Sequence, residues 1–125
     1  MKNREIIGHI SKQVIEKLSL DIKENTPIFI SDSNTSHIRE SHPDAYSKYY
    51  DSVAEIIDTP DYVGIAGVYA PSIEFIKRFE KDDEIVNVAV RATKTGTHYL
   101  RSMFIIEEGR LNDYIKKGRL YKLDN

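Results

Sequence analysis

A long β-prone hairpin in the second half of the chain constrains the fold more than any other segment. Residues 85–92 are nearly continuous in β-branched and apolar side chains, which is typical of a central strand. Lys94-Thr-Gly96 has the composition of a hairpin turn, and residues 97–106 are predicted to form the returning strand. An antiparallel sheet is therefore expected to organise this half of the chain.

Helical periodicity dominates the first half instead. Apolar residues recur every three or four positions over residues 4–19, which predicts an amphipathic N-terminal helix. Its apolar stripe comprises Ile7, Ile10, Val14 and Leu18, widened by Ile6 and Ile15.

Two further helices are predicted on either side of a break at Pro43. After a β-prone run at residues 27–30, the Ser31-Asp-Ser-Asn34 segment offers several N-caps for a short helix over about residues 35–41. Proline disfavours helical backbone in the residue before it and suits the first turn of a new helix. A second helix is therefore expected from Pro43 to about residue 57.

The remaining segments complete an α+β order. Residues 62–65 are predicted as a strand, and residues 72–79 fit either a strand or a short helix. A last helix is expected to open at Glu107 and Glu108 and to stop at Gly118. Helices followed by an antiparallel meander predict one α+β domain over all 125 residues, with N-terminal helices packed on the sheet.

Composition and charge narrow the chemistry. The chain has no cysteine, which excludes disulfides, thiolate metal sites and cysteine nucleophiles and favours a cytosolic environment. No apolar run approaches the roughly 20 residues of a membrane span. The net charge of -2 is unevenly distributed, because residues 1–71 carry 7 basic and 11 acidic side chains whereas residues 85–122 carry 8 basic and 3 acidic ones. The basic half is compatible with a face that contacts RNA.

Two histidines around the predicted helix break form the first candidate site. The segment His37-Ile-Arg-Glu-Ser-His42-Pro43 offers two imidazoles, which exchange protons near neutral pH. On one continuous helix they would lie about 140° apart, so they share a site only if the helix breaks. The alternative, which this segment alone favours, is that His42 caps the turn and His37 lies on a solvated face. The four histidines have no metal-ligand spacing and no cofactor motif is present, so neither a metal nor a cofactor is expected.

The hairpin from Arg91 to Ser102 is the second candidate site, because its Arg, Lys, Thr, Tyr and Ser side chains can bind an anion. A two-residue turn would pair Arg91 with Leu100. A three-residue turn at residues 94–96 would pair Arg91 with Tyr99, Ala89 with Arg101, and Thr93 with Thr97.

The three-residue turn is preferred because it separates polar from apolar side chains. It gathers on one face the residues Arg91, Thr93, Tyr99 and Arg101. It leaves for the core Leu100, Phe104 and Ile106 with Val88 and Val90. The alternative is an exposed polar hairpin face that binds nothing.

The order of these segments resembles a known family. The segment ISDSNTSHIRESHPDAYSKYYDSVAEIIDTPDYVG, followed by SIEFIKRF, VNVAVRATKTGTHYLRSMFII and EGRLNDYIKKGRL, is similar to the phage-associated branch of the barnase-, EndoU-, colicin- and RelE-like nucleases. The similarity spans about residues 28–122, which leaves residues 1–26 as an N-terminal helical extension. The combination of HxxxxHP, PDYVG and a basic hairpin ending in YLRS is more specific than any of its parts.

The resemblance implies a fold and a set of residue roles. It implies a helical N-terminal half on a four- or five-stranded antiparallel sheet, and RNA cleavage without a metal by attack of the 2′-OH on the adjacent phosphate. His37 would be the leading general base or acid, with His42 as its partner or orienter. Phosphate contacts would come from Arg91, Arg101, Tyr99 and Ser102, and substrate contacts from Thr93 and Lys94. His98 corresponds to nothing in the family pattern, and we expect it to contact substrate or to serve as a second proton carrier.

Two functional hypotheses follow from the resemblance and the residues. The first is a cytoplasmic endoribonuclease, a toxin or mobile-element effector that acts on tRNA or mRNA and that a protein antitoxin or inhibitor restrains. The second is a catalytically inactive module of the same fold that binds RNA or a protein, which the slight overall acidity favours. No residue pattern indicates an oligomeric state.

Overall fold

The computed structural model describes residues 4–66, 72–93 and 96–123. The strands are β1 (Arg4–Ile10), β2 (Thr26–Ser31), β3 (Tyr62–Ala66), β4 (Ser72–Phe79), β5 (Glu84–Arg91), β6 (His98–Ile106) and β7 (Leu120–Lys122). The helices are α1 (Lys12–Leu18), α2 (Asp32–Ser41), α3 (Pro43–Tyr49), α4 (Val53–Asp58) and α5 (Glu108–Lys116), with a 3-10 turn at Tyr50–Ser52. None of the helices in these ranges is long and apolar enough to cross a bilayer.

The strands form a mixed seven-stranded sheet in the order β1-β2-β6-β5-β4-β3-β7. Neighbouring strands are antiparallel except β2 and β6, which run parallel. The α+β class is thus confirmed, and the predicted meander corresponds to β3 through β6. The sheet is wider than the four or five strands that the resemblance implied, because β1 and β2 extend one edge and β7 extends the other.

The predicted N-terminal helix is wrong over its first half. Arg4–Ile10 forms the edge strand β1, and α1 begins only at Lys12. Ser11 separates the two elements, because its side chain accepts a hydrogen bond of 3.3 Å from the Val14 N–H and so caps α1. Ile10 at the end of β1 and Val14 on α1 are both fully buried. The apolar spacing that predicted one helix therefore comes from a strand followed by a helix.

The helix break before Pro43 is confirmed. Ser31 caps α2 through a reciprocal pair of hydrogen bonds with Asn34, and α2 ends at Ser41. Pro43 then occupies the first turn of α3. The predicted continuous helix to residue 57 is wrong in one respect, since the 3-10 turn at Tyr50–Ser52 divides it.

Two hydrophobic clusters lie on the two faces of the sheet. The larger one buries Val86, Val88 and Val90 of β5 together with residues from α1 to α4. The smaller one joins Leu111 of α5 to apolar residues of β4, β5 and β6, namely Ile76, Ile85 and Ile106. The helix α5 covers only one end of the sheet face that carries the smaller cluster. A polar recess lies at the other end of that face.

A β-bulge at Arg101 changes the predicted register of the hairpin. Arg91 pairs with Tyr99 as expected, but Ala89 pairs with Ser102, so the predicted pairing of Ala89 with Arg101 is wrong. The extra residue reverses the alternation of the side chains that follow it. Leu100 therefore joins the larger cluster with Val88 and Val90, whereas Phe104 and Ile106 belong to the smaller one.

Candidate functional site

A recess of about 620 Å³ opens on the sheet face that α5 partly covers. Its lining residues come from α2 and from three adjacent central strands. They are His37, Glu74, Ala89, Arg101, Ser102 and Phe104. Three of the residues predicted from the sequence, His37, Arg101 and Ser102, thus lie around one concave surface.

His37 reaches the recess from α2. The neighbouring Ile38 is fully buried in the larger cluster, which fixes the rotation of the helix and turns His37 outward. The His37 side chain is exposed, and none of the described residues forms a hydrogen bond or ion pair with it. The imidazole is therefore accessible to a ligand at the rim.

Glu74 is the lining residue that sequence reasoning missed. It lies on β4 opposite Ala89, and its Oε2 accepts a hydrogen bond of 3.1 Å from Nδ2 of the buried Asn87. Burial raises the pKa of Glu74, although the Asn87 hydrogen bond and the charge of Arg101 oppose that rise. The sequence signal for Glu74 was a single carboxylate in the mostly apolar run Ser72-Ile-Glu-Phe-Ile76, where it lies between buried strand residues.

Arg101 and Ser102 enter the recess together because of the bulge. Ser102 follows the regular alternation and faces the same side as Ala89, whereas Arg101 is the unpaired extra residue. The Arg101 Nη1 donates a hydrogen bond of 2.8 Å to Oγ of Ser72, which is almost fully buried. A buried hydroxyl therefore holds the guanidinium beside Glu74.

Arg91 and Tyr99 flank the recess without lining it. They pair with each other across β5 and β6, and Arg91 lies two residues along β5 from Ala89, so both share the face of the recess. Arg91 is exposed, and the ring of Tyr99 contacts Phe29 at a centroid distance of 6.2 Å.

Thr93 and His98, two other predicted substrate contacts, form hydrogen bonds within the hairpin. The Thr93 hydroxyl donates to the Thr97 carbonyl oxygen and accepts from the Thr97 N–H, while the Thr93 N–H donates to His98 Nδ1 at 3.1 Å. His98 is fully buried, and burial lowers its pKa, which favours the neutral ring that accepts this bond. The structure therefore places His98 in the interior rather than at a binding surface. Lys94 lies outside the described residues.

His42 adjoins the site through an aromatic neighbour. Its ring contacts Phe104 at a centroid distance of 5.4 Å, and Phe104 in turn lines the recess. His42 itself does not line the recess, so the two histidines of the segment are not brought to one point. The roles of His42 as partner or orienter of His37 remain predictions.

The recess combines groups that move protons with groups that bind anions. The His37 imidazole and the Glu74 carboxyl, whose pKa is raised by burial, can transfer protons, and a guanidinium beside a hydroxyl can hold a phosphate. Across residues 4–66, 72–93 and 96–123, no three histidine, aspartate or glutamate side chains come together as metal ligands. The arrangement is suited to acid–base chemistry on a phosphate ester.

Comparison with known proteins identifies one family. Residues 4–113 match the family described as PBECR3, phage-Barnase-EndoU-ColicinE5/D-RelE like nuclease 3. No curated protein and no solved structure matches the chain. The matched segment contains every lining residue of the recess, and it begins at β1.

Proposed function

We propose, because the chain belongs to the phage-Barnase-EndoU-ColicinE5/D-RelE like nuclease 3 family, that it is a metal-independent endoribonuclease. The observation that carries the proposal is the convergence of His37, Glu74 and Arg101 on one recess. An imidazole, a carboxylate and a cation are the groups that phosphate-ester cleavage needs when the ribose supplies its own nucleophile.

In the proposed reaction the 2′-oxygen of a ribose attacks the adjacent phosphorus while the bond from phosphorus to the 5′-oxygen breaks. Glu74 takes the proton from the 2′-OH, and His37 in its protonated form gives a proton to the departing 5′-oxygen. The products are a 2′,3′-cyclic phosphate and a free 5′-OH. Glu74 is assigned the base because burial raises its pKa, which makes its carboxylate a stronger proton acceptor, and because Asn87 and Arg101 lie beside it.

Arg101 and Ser102 are assigned to the scissile phosphate. The guanidinium is held by Ser72 at a fixed position, so it can stabilise charge that develops on the phosphate oxygens. Arg91 and Tyr99, which flank the recess on the same face, are assigned to the neighbouring phosphate. Contacts of RNA with Thr93 and Lys94 at the hairpin end remain predictions from the resemblance, as does a cytoplasmic toxin role against tRNA or mRNA under the control of a protein antitoxin.

Cleavage of purified total RNA in excess EDTA tests the proposal. The native protein is expected to cut, and His37→Ala to lower the rate by about 100-fold or more. His9→Ala is the matched control, because His9 is an exposed histidine on the edge strand β1 and is expected to leave the rate unchanged. Intact RNA, or cleavage that requires an added metal, contradicts the proposal.

One observation favours a non-catalytic alternative. Catalytic imidazoles are commonly oriented by a third group, whereas no described residue hydrogen-bonds to His37. A module that only binds RNA or a protein would retain binding of RNA with no cleavage by the native protein. The same RNA assay, combined with a gel-shift measurement, separates the two functions.

A further inference from the structure

A second cavity adjoins the recess on the same face of the sheet. Glu74 and Phe104 line both, so the two form a continuous groove. The second cavity opens to solvent and has about 410 Å³ of empty space. Its other walls come from β3, from Ile76 and Asn87 of β4 and β5, from Tyr114 of α5, and from Arg119 and Leu120 after α5.

We infer that this cavity binds one nucleobase of the RNA, next to the phosphate held in the recess. The inference rests on the proposed function and names the part of the substrate that the groove would recognise. Phe104 and Tyr114 provide aromatic surfaces, and Ile76 and Leu120 provide apolar ones, which together suit the flat face of a base.

Polar groups at the same cavity can meet the edge of a base. Asn87 is almost fully buried and donates to Glu74, which puts an amide and a carboxyl at the boundary between the cavity and the recess. Arg119 is exposed, and its Cζ lies over the Tyr114 ring at 6.0 Å. The Arg119 guanidinium would thus lie beside a base stacked near Tyr114, where it could bind the next phosphate of the RNA.

The wall formed by Tyr114 and Arg119 is held by the backbone. Gly118 has a φ of 73°, which turns the chain after α5, and the Arg119 N–H then donates to the Tyr114 carbonyl oxygen at 3.0 Å. Gly64 on β3 permits this arrangement, since a Cβ there would lie 2.5 Å from the Arg119 carbonyl oxygen. Tyr114 and Arg119 lie beyond residue 113, where the family match ends.

Binding measurements that need no catalysis test the inference. NMR titrations would compare the four nucleoside 3′-monophosphates with inorganic phosphate on the native protein and on Tyr114→Ala. The native protein is expected to bind at least one nucleotide more tightly than phosphate. Tyr114→Ala is expected to weaken that nucleotide about tenfold while leaving the affinity for phosphate unchanged, since stacking on one aromatic ring is typically of that size.

Matched variants separate stacking from folding effects. Tyr121→Ala removes an exposed tyrosine of β7 that does not line the cavity, and it is expected to change neither affinity. Tyr114→Phe is expected to retain nucleotide binding. Arg119→Ala is expected to weaken the nucleotide about threefold, and Arg110→Ala on exposed α5 surface to have no effect.

The outcomes also distinguish this inference from the proposed function. Nucleotide binding that depends on Tyr114, in a protein that cuts no RNA, would support the base site and contradict the nuclease. RNA cleavage whose KM and kcat are unchanged in Tyr114→Ala would support the nuclease and overturn the base site. Equal affinity for phosphate and for all four nucleotides, or no binding of any of them, overturns the base site as well.

Discussion

Asn87 donates a hydrogen bond of 3.1 Å from its Nδ2 to Oε2 of Glu74, between two adjacent strands at the centre of the sheet. This contact opposes the effect of burial, which raises the pKa of Glu74. The net direction of its pKa is still upward, so the ionised form of Glu74 is less stable in the folded chain than in water. A proton acceptor whose ionised form lowers the stability of the fold is characteristic of a functional site rather than of a structural one.

The first prediction concerns stability against pH. Because the folded pKa of Glu74 is raised above its ordinary value of 4.5, its contribution to stability is fully present below pH 4.5 and is lost as the pH rises through the folded value. Glu74→Gln removes the charge, so its urea midpoint is expected to exceed that of the native protein at pH 7 and to approach it below pH 4.5. Glu55→Gln, at an exposed position on α4, is the control and should show no such difference.

A Glu74→Gln variant that is less stable than the native protein at pH 7 would contradict this assignment of the pKa. The same variant separates chemistry from folding, because it is expected to be well folded yet to lose cleavage by about 100-fold or more.

The second prediction concerns the bulge residue Arg101. Replacing it by alanine removes the cation that Ser72 positions, and kcat on RNA is expected to fall by about 100-fold, the typical cost of one preorganised charge-stabilising donor. Arg101→Lys is expected to recover only part of this loss, because an ammonium lacks the planar fork. Arg110→Ala, on the exposed side of α5, is the control. Equal activity of Arg101→Ala and Arg110→Ala would remove Arg101 from the site.

The third prediction assigns His42 a packing role against Phe104. Its ring contacts Phe104 and does not line the recess, so an aromatic ring without titratable nitrogens should replace it. His42→Phe is expected to retain most of the RNA cleavage and the same pH profile, whereas His42→Ala loses activity and thermal stability together. If His42→Phe were as inactive as His37→Ala, His42 would instead be a proton carrier.

The fourth prediction concerns the close approach at Gly64. Gly64→Ala places a Cβ 2.5 Å from the Arg119 carbonyl oxygen, and the resulting overlap is expected to lower the free energy of unfolding by about 2 kcal/mol. Gly109→Ala is the matched control, since a Cβ there meets nothing within 4 Å and alanine is expected to be neutral or to stabilise α5 by up to about 1 kcal/mol. Urea denaturation measures both, and equal stability of the two variants would contradict the predicted overlap.

Local signals in the sequence predicted the elements that local chemistry decides. The cap at Ser31 and the proline at residue 43 correctly located the boundary between α2 and α3. Turn composition and β-branched runs correctly predicted the β5–β6 hairpin and the pairing of Arg91 with Tyr99. Family resemblance added the expectation of a nuclease, which the family match supports at that level.

Features that depend on residues far apart in the chain were not predicted from the sequence. The edge strand β1 exists because β2 pairs with it, and nothing within residues 4–19 distinguishes that pairing from a helical stripe. The bulge at Arg101 shifts the register of β6, and it places Ser102 opposite Ala89 on the face of the recess. Glu74 was missed because one acidic residue in an apolar strand gains meaning only once Asn87 and Arg101 are known to lie beside it.

The most direct test of the central claim uses one RNA oligonucleotide in EDTA and its twin with a 2′-deoxyribose on the 5′ side of the cleaved bond. Attack by the 2′-OH predicts that the native protein cuts the all-ribose strand to a 2′,3′-cyclic phosphate and a 5′-OH, and leaves the substituted bond intact. Cleavage of the 2′-deoxy bond, or products that carry a 5′-phosphate, would contradict the proposed reaction at the recess of His37, Glu74 and Arg101.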